Sequence, residues 1–131
     1  MQRFSAVPWR RATAVLLSGL LFAAAASAGR TPGHSGKIEP LLEQRLAHGP
    51  ASTWIVFRRK ADLTAAHGRA AYVVDRLRAA ALRSQPGARD LLSRHHVRYR
   101  SFWAVNAIRA TIDDALANEL AALPEVEALR A

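Results

Sequence analysis

The residues of this 131-residue chain that could do chemistry are few, and their spacing suits it poorly. His95 and His96 are adjacent. Neighbours on a helix project roughly 100° apart, so the pair chelates one metal poorly, and no further ligand cluster accompanies it. It reads as a solvated helix end with imidazolium near the negative pole, and pH sensing is the alternative. Asp113 and Asp114 are also adjacent, and helix capping accounts for them without acid–base pairing. Gly33-His34-Ser35-Gly36 falls short of a Gly-x-Ser-x-Gly nucleophile elbow and sits in a linker. Gly36-Lys37 lacks the upstream glycine and the following Ser or Thr of a phosphate loop. With no cysteine, neither disulfides nor thiolate metal ligands are available. No enzyme, metal site or cofactor is expected.

The elements that would position these residues form a regular succession. Thr31 to Gly36 is a Pro/Gly-rich linker. Ile38, Leu41, Leu42 and Leu46 recur at helical spacing, and Pro40 is tolerated in a first turn. This leading helix, Ile38 to Ala47, lies beyond the minimal fold. Thr53 to Arg58 is β-branched and aromatic and predicts a buried strand. A helix follows from Arg69 to Arg83, is interrupted at Gln85-Pro86-Gly87, and resumes towards His96. Val97 to Val105 predicts a strand, with a tight hairpin near Asn106, and Ile108 to Ile112 the next strand. Asp113 or Asp114 caps a helix carrying Leu116, Leu120 and Leu123, and Val126 to Leu129 closes the chain as a strand.

Strand, helix, strand, strand, helix, strand is the ferredoxin-like β-α-β-β-α-β order. It predicts an α+β fold: a four-stranded antiparallel sheet with helices on one face, plus the short leading helix. The other sheet face is left open, and an open face is a place to bind something.

The first 28 residues read as a signal peptide. Arg3, Arg10 and Arg11 precede an apolar run from Ala14 to Ala26, and Ala26-Ser27-Ala28 has the small-x-small form of a cleavage site. The run is shorter than the roughly 20 residues that span a bilayer, so no stable membrane anchor is expected. Residues 29–50 then form the linker and leading helix, and 51–131 the domain. The product is secreted or periplasmic. The formal charge of +9 overstates the basicity, because three of the 19 basic residues lie in the leader and the 16 remaining face 10 acidic ones. This suits acidic surfaces. A small exported domain without cross-links must rely on packing or on a partner.

Phe102-Trp103-Ala104-Val105-Asn106-Ala107, continuing through Ile108-Arg109-Ala110-Thr111-Ile112, resembles the prosegments of subtilisin-like serine proteases. Glu119-Leu120-Ala121-Ala122-Leu123-Pro124-Glu125-Val126 is similar to their helix-Pro-x-Val junction. Lys37-Ile38-Glu39-Pro40, Val56 to Leu63 and Tyr99 to Trp103 look like the larger, bacillopeptidase-type bacterial prosegments. The resemblance spans roughly Lys37 to Ala131. It implies an inhibitor and intramolecular chaperone, whose open sheet face packs on the protease domain and whose last residues lie in the substrate cleft as a product-like inhibitor. On this chain it implies Phe102, Trp103, Ala104, Val105, Asn106 and Ala107 for the sheet side, and Leu129, Arg130 and Ala131 for the cleft side.

The Ser, His and Asp blocks of a protease domain are missing, so the protease partner acts in cis in a longer precursor or in trans. The alternative is a secreted orphan interaction module of the same fold without a protease partner. Arg98, Tyr99, Arg100, Phe102 and Trp103 faintly resemble the aromatic strands of RNA-recognition domains, but the glycines of that signature are absent. No nucleic-acid partner is expected; alternate residues there serve core and sheet face.

Overall fold

A computed structural model describes residues 36–131; the leader, its cleavage site and nearly all of the linker lie outside the described residues. Four helices and four strands follow in the order α1 (Pro40–Leu46), β1 (Ala51–Phe57), α2 (Ala70–Ser84), α3 (Pro86–Arg94), β2 (Tyr99–Phe102), β3 (Ala107–Ile112), α4 (Asp114–Ala122) and β4 (Val126–Arg130). The strands form one antiparallel sheet in the order β2-β3-β1-β4. The chain has the α+β, ferredoxin-like arrangement.

Strand periodicity decides which side chains meet the helices. In β1, Ala51, Thr53, Ile55 and Phe57 are buried while Ser52, Trp54 and Val56 are less so. Register then joins Ile55 to Ile108 of β3 and Leu129 of β4 on the same face. These residues pack with Leu91 and Leu92 of α3 and Leu116 and Leu120 of α4 in one core. Burying a Leu, Ile or Phe of this kind contributes about 1.5–3 kcal/mol each.

Pro86 starts α3 at its first position, where a missing N–H costs nothing, so the helical stretch breaks into two there. Asp113 caps α4: its Oδ1 accepts from the Leu116 N–H at 2.9 Å. The predicted strand from Val97 to Val105 is shorter in the structure. It ends at Phe102, and residues 103–106 form the turn into β3.

The leading helix packs on the domain: Ile38, Leu42 and Leu46 belong to the same core as the sheet. Ile38 also makes a parallel bridge to Leu129, with Leu129 N–H donating to Lys37 O at 2.7 Å and Glu39 N–H to Leu129 O at 2.9 Å. The segment thus covers part of the outer edge of β4, an edge that would otherwise offer unpaired backbone groups. Its residues are part of the folded unit.

Candidate functional site

The helices leave one sheet face uncovered, and the register sorts that face into rows running across the strands. Phe102 of β2, Ala107 of β3, Val56 of β1 and Ala128 of β4 pair in succession and make an apolar row. Two residues further along the strands, Arg100, Arg109, Trp54 and Arg130 pair in the same succession. Beyond that row, Ser52 pairs with Thr111.

The aromatic rings tie the first two rows together. Trp54 and Phe102 lie 5.2 Å apart at a 48° tilt, across the intervening strand β3. Arg109 stands 5.5 Å over Trp54 and Arg100 5.1 Å over Phe102, so the guanidinium groups cover the outer parts of both rings. Arg109 is further held by its Nε donating to Ser52 Oγ at 3.1 Å. A shallow cleft of about 390 Å³ opens beside these residues, lined by Arg98, Arg100 and Arg109 with Ser52 and Thr111. Glu127 is the one acidic residue within the four strands, and Lys60 occupies it at 2.9 Å. Lys60, then Arg130 and Arg58, hold its carboxyl below the ordinary value. Among the described residues neither Arg100 nor Arg109 is salt-bridged to a carboxylate.

The residues assigned to the sheet side of a docking surface divide three ways. Phe102 and Ala107 lie in the apolar row, with Ala107 itself buried. Trp103, Ala104 and Val105 are exposed at the tip of the β2–β3 turn, and Arg78 of α2 stands 5.0 Å over the Trp103 ring. Asn106 stands apart from both groups. It is buried, at a φ of 44°, and its Nδ2 donates to Arg59 O at 2.8 Å and Ser84 Oγ at 2.9 Å. Gln85 Nε2 donates to its Oδ1 at 3.2 Å. Its side chain is fully engaged in shaping the turn and offers nothing to a partner.

On the cleft side, Leu129 is completely buried and paired on both edges. Arg130 belongs to the arginine row, and the Ala131 N–H donates to Glu39 Oε2 at 3.1 Å.

His95 caps α3 with its Nε2 3.3 Å from Glu119 Oε2, and His96 follows in the left-handed region at a φ of 55°. Among the described residues no cluster of three His, Cys, Asp or Glu could hold a metal, and no helix is long and apolar enough to cross a membrane. Val56, Ala128, Trp54 and Arg109 are the face residues that sequence reasoning passed over. The alternation in Ser52-Thr53-Trp54-Ile55-Val56 was the available signal, but the alignment with Arg100 and Phe102 requires the register. Compared with protein-family models, with curated proteins and with solved structures, the chain gives no match.

Proposed function

We propose that this chain is a secreted or periplasmic, non-catalytic inhibitor and folding assistant of a subtilisin-like serine protease, docking through its open sheet face. The observation that carries the reading is that face: a half-buried apolar row containing Phe102 and Val56, next to Trp54, with no helix or strand among the described residues packed over it. An apolar surface of this kind, rimmed by polar groups, is a typical protein-interaction site. The ordered likeness to prosegment motifs supplies the partner class. Marginal stability of a small domain without disulfides suits a role in which order is gained on binding.

Binding to the folded protease, or to its folding transition state, lowers the free energy of whichever state it contacts, and that is how one surface both assists folding and inhibits. The cleft-side contact begins no earlier than Arg130, because Leu129 belongs to the core. That burial favours a second reading, an interaction module of the same fold whose partner is engaged by the sheet face alone.

The test is inhibition of purified subtilisin-like proteases by the full chain, following peptide-substrate hydrolysis against inhibitor concentration. Saturable inhibition that fades as the chain is digested supports the protease reading. A folded chain that inhibits none of several such proteases leaves the interaction module.

A further inference from the structure

A second concavity lies on the helix side of the sheet, away from the open face. Ser101 of β2 pairs with Ile108, whose side chain is in the core beneath the helices, so Ser101 belongs to that side. There it borders a cavity of about 210 Å³ between the end of α2, the start of α3 and the β2–β3 turn. Buried Ala81 and Gln85 form its floor, Leu82 and Trp103 its apolar walls, and Arg78 and Arg89 are the charged residues that line it.

The polar groups of the floor are already matched. Ser101 Oγ donates to Gln85 Oε1, and Gln85 Nε2 donates to Asn106 Oδ1 at 3.2 Å. The two exposed arginines are different. Arg78 stands 5.0 Å over the Trp103 ring, and Arg89 donates through Nε to Tyr99 Oη at 3.3 Å, a bond that leaves its terminal N–H groups for another acceptor. Among the described residues neither arginine is salt-bridged to a carboxylate, and Asp90, the neighbour of Arg89, is engaged by Arg94 at 3.2 Å. The cavity therefore combines two guanidinium groups without a counter-ion and an apolar interior with no polar demand left to meet.

We propose that this cavity binds the C-terminal residue of a peptide chain, with its free α-carboxylate between Arg78 and Arg89 and an apolar side chain against Ala81, Leu82 and Trp103. The site shares no side chain with the Trp54 and Phe102 rows of the open face, so it stands apart from the reading of that face as a protease-docking surface.

Size and charge together select this ligand. The cavity is smaller than the roughly 300–1,000 Å³ of typical small-molecule pockets, and it suits one side chain and a carboxylate. Leu82 is 70% exposed, which leaves the preceding residues of the peptide a way out to solvent. Arginine's planar fork binds carboxylates in two-point fashion. A free amino acid would bring an α-ammonium up to two guanidinium groups, whereas the last residue of a peptide carries a neutral amide there. An internal Asp or Glu offers the carboxylate without an apolar body beside it. A phosphate would satisfy the arginines and make no use of the Leu82 and Trp103 walls.

The experiment titrates the full chain with acetyl-Ala-Ala-Phe carrying a free carboxylate, and with the same peptide as its C-terminal amide. Binding is followed by NMR at the Trp103 indole N–H, assigned by its loss in W103F. The free acid is expected to bind about tenfold more tightly than the amide. R78Q/R89Q should bind the two peptides alike, with the urea midpoint of unfolding close to that of the unmodified chain because both side chains are exposed. Leu82→Ala should weaken both peptides by about threefold and leave the preference for the acid in place.

Equal affinities for acid and amide, an unmoved Trp103 signal up to millimolar peptide, or a preference that survives in R78Q/R89Q would overturn the proposal. Free phenylalanine binding as tightly as the peptide would assign the cavity to small organic acids instead. Tighter binding of inorganic phosphate would assign it to phosphate groups, and either result removes the peptide terminus as the ligand.

Discussion

Asn106 Nδ2 and Ser84 Oγ, 22 residues apart in the chain, meet at 2.9 Å inside the domain and lock the β2–β3 turn to the end of α2. Ser84 Oγ donates in turn to Ala80 O at 2.8 Å, and Gln85, itself buried, bonds to Asn106 Oδ1, Phe102 O and Ser101. Within the described residues every fully buried side-chain nitrogen or oxygen has a partner. A network of this kind is stabilising only while complete, because each orphaned member then bears its full desolvation cost.

Replacing Asn106 by Ala should therefore destabilise the domain by about 2–4 kcal/mol, combining orphaned partners with a left-handed backbone that alanine tolerates poorly. Asn106→Gly keeps the backbone freedom and should lose less. Urea unfolding of the two variants separates the contributions. Equal losses would mean that the φ of 44° carries no cost.

Leu129→Ala should cost about 2–5 kcal/mol, as for other fully buried leucines, since the side chain has no exposure at all. Removing residues 129–131 should unfold much of the chain, whereas removing only Arg130 and Ala131 should leave the unfolding transition close to its original midpoint. A deletion of all three that keeps full stability would place Leu129 outside the core.

The leading helix supplies a third check. Leu42→Ala should lose about 2–5 kcal/mol, and a chain starting at Ala51 should lack a cooperative unfolding transition, because Ile38, Leu42 and Leu46 leave the core together. Thermal unfolding followed by circular dichroism decides the matter.

Trp54→Ala tests the docking face. Its ring is half-buried and touches Phe102 and Arg109 rather than the helices, so the stability loss should stay near 1 kcal/mol. Inhibition of a responsive subtilisin-like protease should weaken by about tenfold or more, as expected of an aromatic anchor. A large stability loss with unchanged inhibition would remove the face from the interface.

Glu127 sets a small acid dependence. The Lys60 hydrogen bond lowers its folded-state pKa below the ordinary 4.5. The folded state thus prefers the ionised carboxylate, so the stabilisation is present above 4.5 and is lost as pH falls through the lowered value. Both partners are well exposed, so the amplitude should stay below about 1 kcal/mol. Comparing urea midpoints of Glu127→Gln and the unmodified chain at neutral and acidic pH checks this: the difference should shrink in acid.

Much of this fold was legible in the order of residues. Local signals act over a few positions, so the strand from Thr53 to Phe57, the break at Pro86 and the cap at Asp113 could be read from propensity, ring constraint and side-chain capping alone. Their succession also implied the ferredoxin-like sheet and its open face. What could not be read was every relationship that depends on long-range register. Pairing between strands about fifty residues apart put Trp54 beside Arg109, the β2–β3 hairpin set Arg109 opposite Arg100, and the two registers together sorted the face into apolar and cationic rows. The bridge from Ile38 to Leu129 drew the leading helix into the core and closed off a residue that the motif comparison had assigned to a partner. Asn106 looked like a surface turn residue because its own sequence context cannot show that Ser84 and Arg59 will arrive to satisfy it. Burial is a property of the assembled chain, and so each misplaced residue was one whose local preference was right and whose distant partners were unknown.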